Sequence, residues 1–183
     1  MNDVHAVTLE AGGRAGAHEP SFAAIAEELL DDVYGYLLYL TRNWALAEDL
    51  TSETFERALK RWKRFDPRRG TPRAWLLAIA RSAALDAFRA EARRRKREER
   101  AGATAADPRA GDGFGEGLSP ELEDGLRALS AGEREVVALR VVLELDGDET
   151  ARLLGISPTA VSTRLQRALA KVEERMREHE RVA

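Results

Sequence analysis

Cysteine is absent from the 183 residues, so no disulfide framework, thiolate nucleophile or cysteine-ligated metal can be built from this chain. Histidine is scarce, and His5, His18 and His179 lie near the two ends, a poor arrangement for a metal or general-base site. These absences leave no cluster of catalytic groups. No enzyme, catalytic residue, metal or cofactor is expected. No apolar run approaches the ~20 residues needed to span a bilayer. The start, MNDVHAVTLEAGG, lacks the basic-then-apolar order of a signal peptide, so a cytoplasmic protein without a membrane span is the expectation.

Net charge is also small, at −3, which taken alone disfavours a nucleic-acid binder. The distribution reverses that inference. Arg57 to Arg100 holds 16 Lys/Arg against 5 Asp/Glu, leaving 13 against 27 elsewhere. One surface should therefore attract polyanions while the rest repels them.

What the chain does contain is helical periodicity. Residues 1–20 have none and read as a disordered tail. Phe22, Ile25, Ala26, Leu29, Val33, Tyr36, Leu37 and Leu40 then form one apolar stripe, a first helix ending near Thr41-Arg42-Asn43. A second helix covers about Trp44 to Arg64, with Leu46, Leu50, Phe55, Ala58, Leu59 and Trp62 inward. Its outer line is Asp49, Glu53, Glu56 and Lys60, which on an isolated helix is simply a solvated face. Asp66-Pro67 and Gly70 make a turn, and Thr71-Pro72 starts a third helix as cap and first residue. Leu76, Ile79, Ala80, Ala83, Ala87 and Ala90 supply its apolar face. Around them stand Arg73, Arg81, Arg89, Arg93, Arg94, Arg95, Lys96 and Arg97, with Trp75 and Phe88 interleaved. Arginines for phosphates and aromatics for stacking suit a polyanion with unstacked bases. A solvated amphipathic helix with a basic end fits the same residues.

Residues 101–117 (AGATAADPRAGDGFGEG) read as a flexible linker without apolar period, and no strand or Gly-Lys-Ser/Thr accompanies the glycines to make a phosphate loop. Periodicity returns at Pro120 to Leu129, with Leu122, Leu126 and Leu129 inward. Ser130-Ala131-Gly132-Glu133 is a capping-box sequence opening a helix with Val136, Val137, Leu139 and Val142 as its apolar positions. Asp146-Gly147-Asp148-Glu149 repeats the device before Gly147 to Leu154. Gly155 closes that helix as a left-handed cap, and Ser157-Pro158 starts the last one. The layout DETARLLGISPTAVSTRLQRAL is a helix-turn-helix pattern. Val161, Leu165, Ala168 and Val172 face inward, while Thr159, Ser162, Thr163, Gln166 and Arg167 face out, with Arg164 at the boundary. Such side chains suit a major groove. An ordinary helical hairpin is the alternative.

The whole arrangement resembles the extracytoplasmic-function (ECF) sigma factors of bacterial RNA polymerase. AEDLTSETFERALKRW followed by FDPRRGTPRAWLLAIARSAALDAFR is similar to their region two. LSAGEREVVALRVVLELDGDETARLLGISPTAVSTRLQRALAKV is similar to their region four. The resemblance implies an all-α protein of two helical modules joined by a flexible linker, residues 21–100 and 118–178. It implies core RNA polymerase (largest and second-largest subunits), promoter DNA and an anti-sigma factor as partners. Asp49, Leu50, Glu53 and Glu56 fall on the family's polymerase-binding helix. Lys63, Arg64, Phe65, Arg68, Arg69, Arg73, Trp75, Arg81, Ser82, Asp86 and Arg89 fall where the minus-ten element is read and opened. Ser157, Thr159, Ser162, Thr163, Arg164, Gln166 and Arg167 fall on the minus-thirty-five reader. The chain departs from the usual pattern at Ser82, Glu144, Thr150 and Ser162, which bears on sequence preference rather than fold. Two other readings are compatible with these residues: a free-standing helix-turn-helix regulator with an N-terminal sensing or partner-binding helical domain, and an adaptor that binds polymerase or an anti-sigma protein without opening DNA.

Overall fold

A computed structural model describes residues 21–101, 113–114 and 117–182, so the N-terminal tail and most of the linker lie outside the described residues. Three helices form the N-terminal module: α1 (Phe22–Thr41), α2 (Trp44–Arg61) and α3 (Pro72–Arg100). Each begins at a side-chain cap. Ser21 Oγ accepts the Ala24 N–H at 3.2 Å, Asn43 Oδ1 the Leu46 N–H at 2.8 Å, and Thr71 Oγ1 the Ala74 N–H at 3.1 Å. The apolar stripes then meet in one core. Val33, Tyr36 and Leu37 of α1, Ala47 and Ala58 of α2, and Leu76, Leu77 and Ala80 of α3 are all but inaccessible. Thr51 and Thr54 are buried too, their hydroxyls donating to Ala47 and Leu50 carbonyls at 2.7 Å, which removes the penalty of an unpaired polar group.

The C-terminal module comprises α4 (Pro120–Arg127), α5 (Ala131–Val137), α6 (Gly147–Leu154) and α7 (Pro158–Val182). Both expected capping boxes are present, Ser130 with Glu133 and Asp146 with Glu149. Gly155 ends α6 with φ 68°, the left-handed value that glycine adopts without steric cost. Glu133 is tied further, accepting from Lys171 Nζ of α7 at 2.7 Å.

Several expectations are corrected. Helix α2 stops at Arg61 rather than Arg64, because Trp62–Arg64 tightens into a 3₁₀ turn in which the Phe65 N–H reaches the Trp62 carbonyl. Leu59 is 59% exposed, Val142 43%, and Ala90 is also outside the core. Val142 is displaced by a π-helical turn over Ala138–Val142, closed by the Leu143 N–H on the Ala138 carbonyl. The extra residue in that turn shifts the helical register, so Leu143 and Leu145 occupy the inward positions instead. The linker also has an apolar anchor. Phe114 is 4% exposed, packed with Leu126, Leu129, Val137, Ala168 and Val172, and its ring lies 5.4 Å from that of Tyr39 on α1.

The two modules pack directly on each other, α1 against α5 and the π turn, α3 against α6. Their buried residues form one continuous cluster running from Ile25 to Val161. At its polar heart, Glu135 of α5 accepts on one oxygen from Tyr36 Oη at 2.9 Å and from Arg81 Nε at 2.8 Å.

The Lys171 ammonium, with the Ser130 N–H and hydroxyl, holds the Glu133 carboxyl down at about 2 against an ordinary 4.5. A carboxyl depressed by folding contributes stability that is fully present above its unfolded value and lost as pH falls through its folded one. Acid unfolding should therefore steepen between about pH 4.5 and pH 2. Lys171→Ala should flatten that part of the curve, measured by circular dichroism. An unchanged slope would show that the pair contributes nothing.

Candidate polymerase and promoter interfaces

The acidic line on α2 is only partly as the sequence reading has it. Asp49 and Glu56 are exposed, but Glu53 is half-buried and paired with Arg57 one turn on. Glu56 lies 3.6 Å from Lys60, a solvated pair. Leu50 is 4% exposed and belongs to the core, so its side chain cannot form part of that outer surface. The exposed large apolar side chain at the start of the same helix is Trp44, 55% accessible.

The expected minus-ten residues divide into three groups. Lys63, Arg64, Arg68 and Arg69 are exposed on two 3₁₀ turns, Trp62–Arg64 and Pro67–Arg69, the second capped by Asp66, whose Oδ1 accepts the Arg68 N–H at 3.0 Å. These four cations are clustered by the shape of the turn and are free to approach a phosphate backbone. Beneath them lies an aromatic cluster. Trp62 and Phe65 stack nearly parallel, 5.1 Å apart at 4°, and Trp75 is tilted against both at 5.9 and 5.3 Å. Phe22 closes the far side, 5.5 Å from Trp62. Phe65 and Trp75 are thus half-buried and hold the turn in place as well as offering it an aromatic wall.

The third group is engaged by other side chains. Arg73 donates its Nε–H to Asp32 of α1 at 2.6 Å. Asp86 is shared by Arg89 at 3.2 Å and Arg57 at 3.7 Å, a network joining α2 to α3. Arg81 donates to Glu135 of the other module. Ser82 is exposed beside it. Asp32, Arg57, Tyr36 and Glu135 are the positioning residues that sequence reasoning missed. Nothing in the local pattern marks them, since each partner is remote in sequence.

The helix-turn-helix residues are brought together. Ser157 caps α7, accepting the Ala160 N–H at 3.1 Å. Thr159, Thr163, Gln166 and Arg167 are exposed along the first turns. The Ser162 hydroxyl is turned back to the Pro158 carbonyl at 3.2 Å. Arg164 is half-buried and lies across Gly132 at the start of α5, where a Cβ would come within 3.4 Å of its guanidinium. At the departures from pattern, Thr150 is fully buried with its hydroxyl on the Asp146 carbonyl at 2.8 Å, and Glu144 has φ 54°, the conformation for which glycine is the natural occupant.

The arrangement has known counterparts. The family model for Sigma-70 region 2 matches residues 25–94, and that for Sigma-70 region 4 matches residues 120–172. The chain is 36% identical over 165 residues to the ECF RNA polymerase sigma factor BldN of Streptomyces coelicolor, covering 88% of this chain and 62% of the relative. It is likewise 36% identical over 172 residues to the RNA polymerase sigma factor CarQ of Myxococcus xanthus, covering 92% and 94%. The chain belongs to the ECF sigma factors of bacterial RNA polymerase. This sigma factor binds core polymerase and directs promoter recognition; it is not itself an enzyme. Its fold matches that of the sigma factor RpoE solved with the anti-sigma factor NepR from Bartonella quintana, with TM-score 0.67 at 22% identity, over 85% of this chain and 96% of that one. CnrH, solved with the cytosolic domain of CnrY, matches with TM-score 0.59 at 23% identity, over 84% and 85%. No described helix of this sigma factor is long and apolar enough to cross a membrane.

The aromatic cluster gives Trp75 a structural job. Trp75→Ala should lower unfolding free energy by about 2–3 kcal/mol, somewhat less than for a fully buried indole. Denaturant titration tests this. A change under about 0.5 kcal/mol would leave Trp75 a free surface ring.

Proposed function

We propose that the two modules divide promoter recognition in this sigma factor. Residues 21–100 dock on the polymerase and open the minus-ten element, and residues 118–178 read the minus-thirty-five duplex. The observation that carries this reading is the turn between α2 and α3. Four exposed cations, Lys63, Arg64, Arg68 and Arg69, surround the Trp62–Phe65–Trp75 cluster. Phosphate contacts and an aromatic wall side by side are what a base leaving the duplex requires. Opening DNA needs no bond chemistry, only recovery of an unstacking cost of a few kcal/mol per step. Arg73, Arg81, Ser82, Asp86 and Arg89 continue the strand contact along α3.

On the polymerase side, Asp49, Glu53 and Glu56 present the acidic face of α2 to the largest subunit, and the second-largest subunit receives the C-terminal module. Ser157, Thr159, Ser162, Thr163, Arg164, Gln166 and Arg167 form the major-groove face of α7. An anti-sigma protein is the natural regulator, since RpoE of Bartonella quintana was solved with the anti-sigma factor NepR. The working compartment is the cytoplasm, where polymerase and template are found.

A fluorescent base analogue placed in the minus-ten strand tests the division. Its signal should rise only when this protein, core polymerase and promoter are all present, and Arg68→Ala with Arg69→Ala should suppress it while polymerase binding persists. Tight binding of duplex by the chain alone, with polymerase changing neither affinity nor opening, would replace this reading with the free-standing regulator.

Two further variants separate the surfaces. Asp49→Lys with Glu53→Lys should weaken polymerase association in a pull-down or anisotropy titration without loss of helix content. Arg164→Ala or Arg167→Ala should cost about 1–3 kcal/mol of upstream duplex binding if the residue makes a bidentate base contact. Full rescue of that loss by a pre-melted bubble would remove these arginines from duplex reading.

A further inference from the structure

We propose that Glu135 is an intramolecular latch, a carboxylate of the C-terminal module that occupies Arg81 and keeps the free chain closed in a form unable to engage a promoter strand. The inference rests on the reading of Arg81 as a strand contact. Its basis is geometric. Oε1 of Glu135 takes the Tyr36 hydroxyl at 2.9 Å and the Arg81 Nε–H at 2.8 Å, and both donors come from the N-terminal module. The Glu135 side chain retains 10% exposure and that of Arg81 25%, so the pair is largely withdrawn from water. Tyr36 is fully buried, and its hydroxyl has Glu135 as partner.

Three consequences make this a latch rather than a permanent joint. A carboxylate is the same kind of acceptor to a guanidinium as a phosphate oxygen, so Glu135 and a nucleic-acid backbone compete for one donor. A buried ion pair roughly cancels its own desolvation cost, so it specifies the closed geometry without making it irreversible. Separation of the modules rehydrates Glu135 while freeing Arg81 in the same step. The adjoining contacts are placed to move with it: Phe114 bridges Tyr39 of α1 and the C-terminal cluster, with the Arg134 guanidinium 5.9 Å above its ring. Closure and strand binding are then linked reciprocally, each opposing the other by the same factor.

The chain has no cysteine, so single cysteines introduced at the exposed Ala45 and Ala170 can carry a dye pair on the full-length protein, one dye on each module. Energy transfer reports closure, and anisotropy with a labelled oligothymidylate 12-mer reports access of Arg81 to a single strand. Glu135→Gln should lower transfer and raise strand affinity at least about fivefold, and the affinity gain should vanish when Arg81→Ala is added. Tyr36→Phe, which removes one of the two bonds at almost constant volume, should shift both readouts in the same direction by less. It also keeps the question answerable should Glu135→Gln fail to fold. Unchanged transfer in both variants would overturn the latch, and opened modules with no gain in strand affinity would overturn the masking of Arg81. A failure of the strand-reading role itself is separable. In that case Arg81→Ala would open promoters at the wild-type level in the three-component base-analogue experiment.

Discussion

A carboxylate removed from water must be paired, and in this chain the most consequential one is paired from outside its own module. Glu135 sits on a helix of two turns, yet its partners Tyr36 and Arg81 lie on α1 and α3. Left alone in the same environment it would cost several kcal/mol. The closed arrangement therefore depends on all three groups being present in register. The apolar cluster from Ile25 to Val161 supplies the bulk attraction, but attraction of that kind is non-directional and would accept neighbouring registers. The hydrogen-bonded triad selects one of them. Much else follows from that choice, including which face of α3 remains open and where Phe114 can insert.

Charge segregation acts on the same surface at a different range. The basic stretch from Arg57 to Arg100 is partly neutralised within the fold, by Asp32 on Arg73, Asp86 on Arg57 and Arg89, and Glu91 on Arg94 and Arg95. What is left exposed gathers in two places, Lys63, Arg64, Arg68 and Arg69 on the turn between α2 and α3, and Arg93, Lys96, Arg97 and Arg100 at the end of α3. A net-acidic protein whose exposed cations are confined to two such patches gains little from indiscriminate DNA contact, and its affinity comes to depend on presenting them to a strand already held nearby.

Local structure was almost wholly legible in the sequence. The caps at Thr71, Ser130, Asp146 and Ser157, the glycine end of α6 and the helices α1 to α7 depend on residues within one turn of each other, which a linear reading can see. The errors share a cause. Leu50 and Leu59 sit on one helix with similar side chains, and only the packing of α1 and α3 decides that the first is core and the second exposed. Val142 lost its inward place to a π turn, whose one-residue slip leaves no mark in an apolar run. Phe114 looked like part of a glycine-rich spacer because a single aromatic makes no period. The candidate surfaces were legible as residue sets, through resemblance, but not as states. That Arg81 and Arg73 are occupied, and Asp86 shared, depends on residues 41 to 54 positions away or on the neighbouring helix.

Helix α5 carries three consecutive charged residues, all buried, and each is committed in a different direction. Glu133 holds Lys171 of α7, Arg134 covers the Phe114 ring, and Glu135 faces the N-terminal module. Successive residues on a helix point about 100° apart, so the three directions are fixed by the helix itself. A single inserted or deleted residue between Ser130 and Glu133 would turn every one of them away from its partner at once. Length in that turn is thus far less free to drift than side-chain identity on the exposed faces. Related chains that keep this closed arrangement should vary in the spacer ahead of Phe114 long before they vary in the count of residues there.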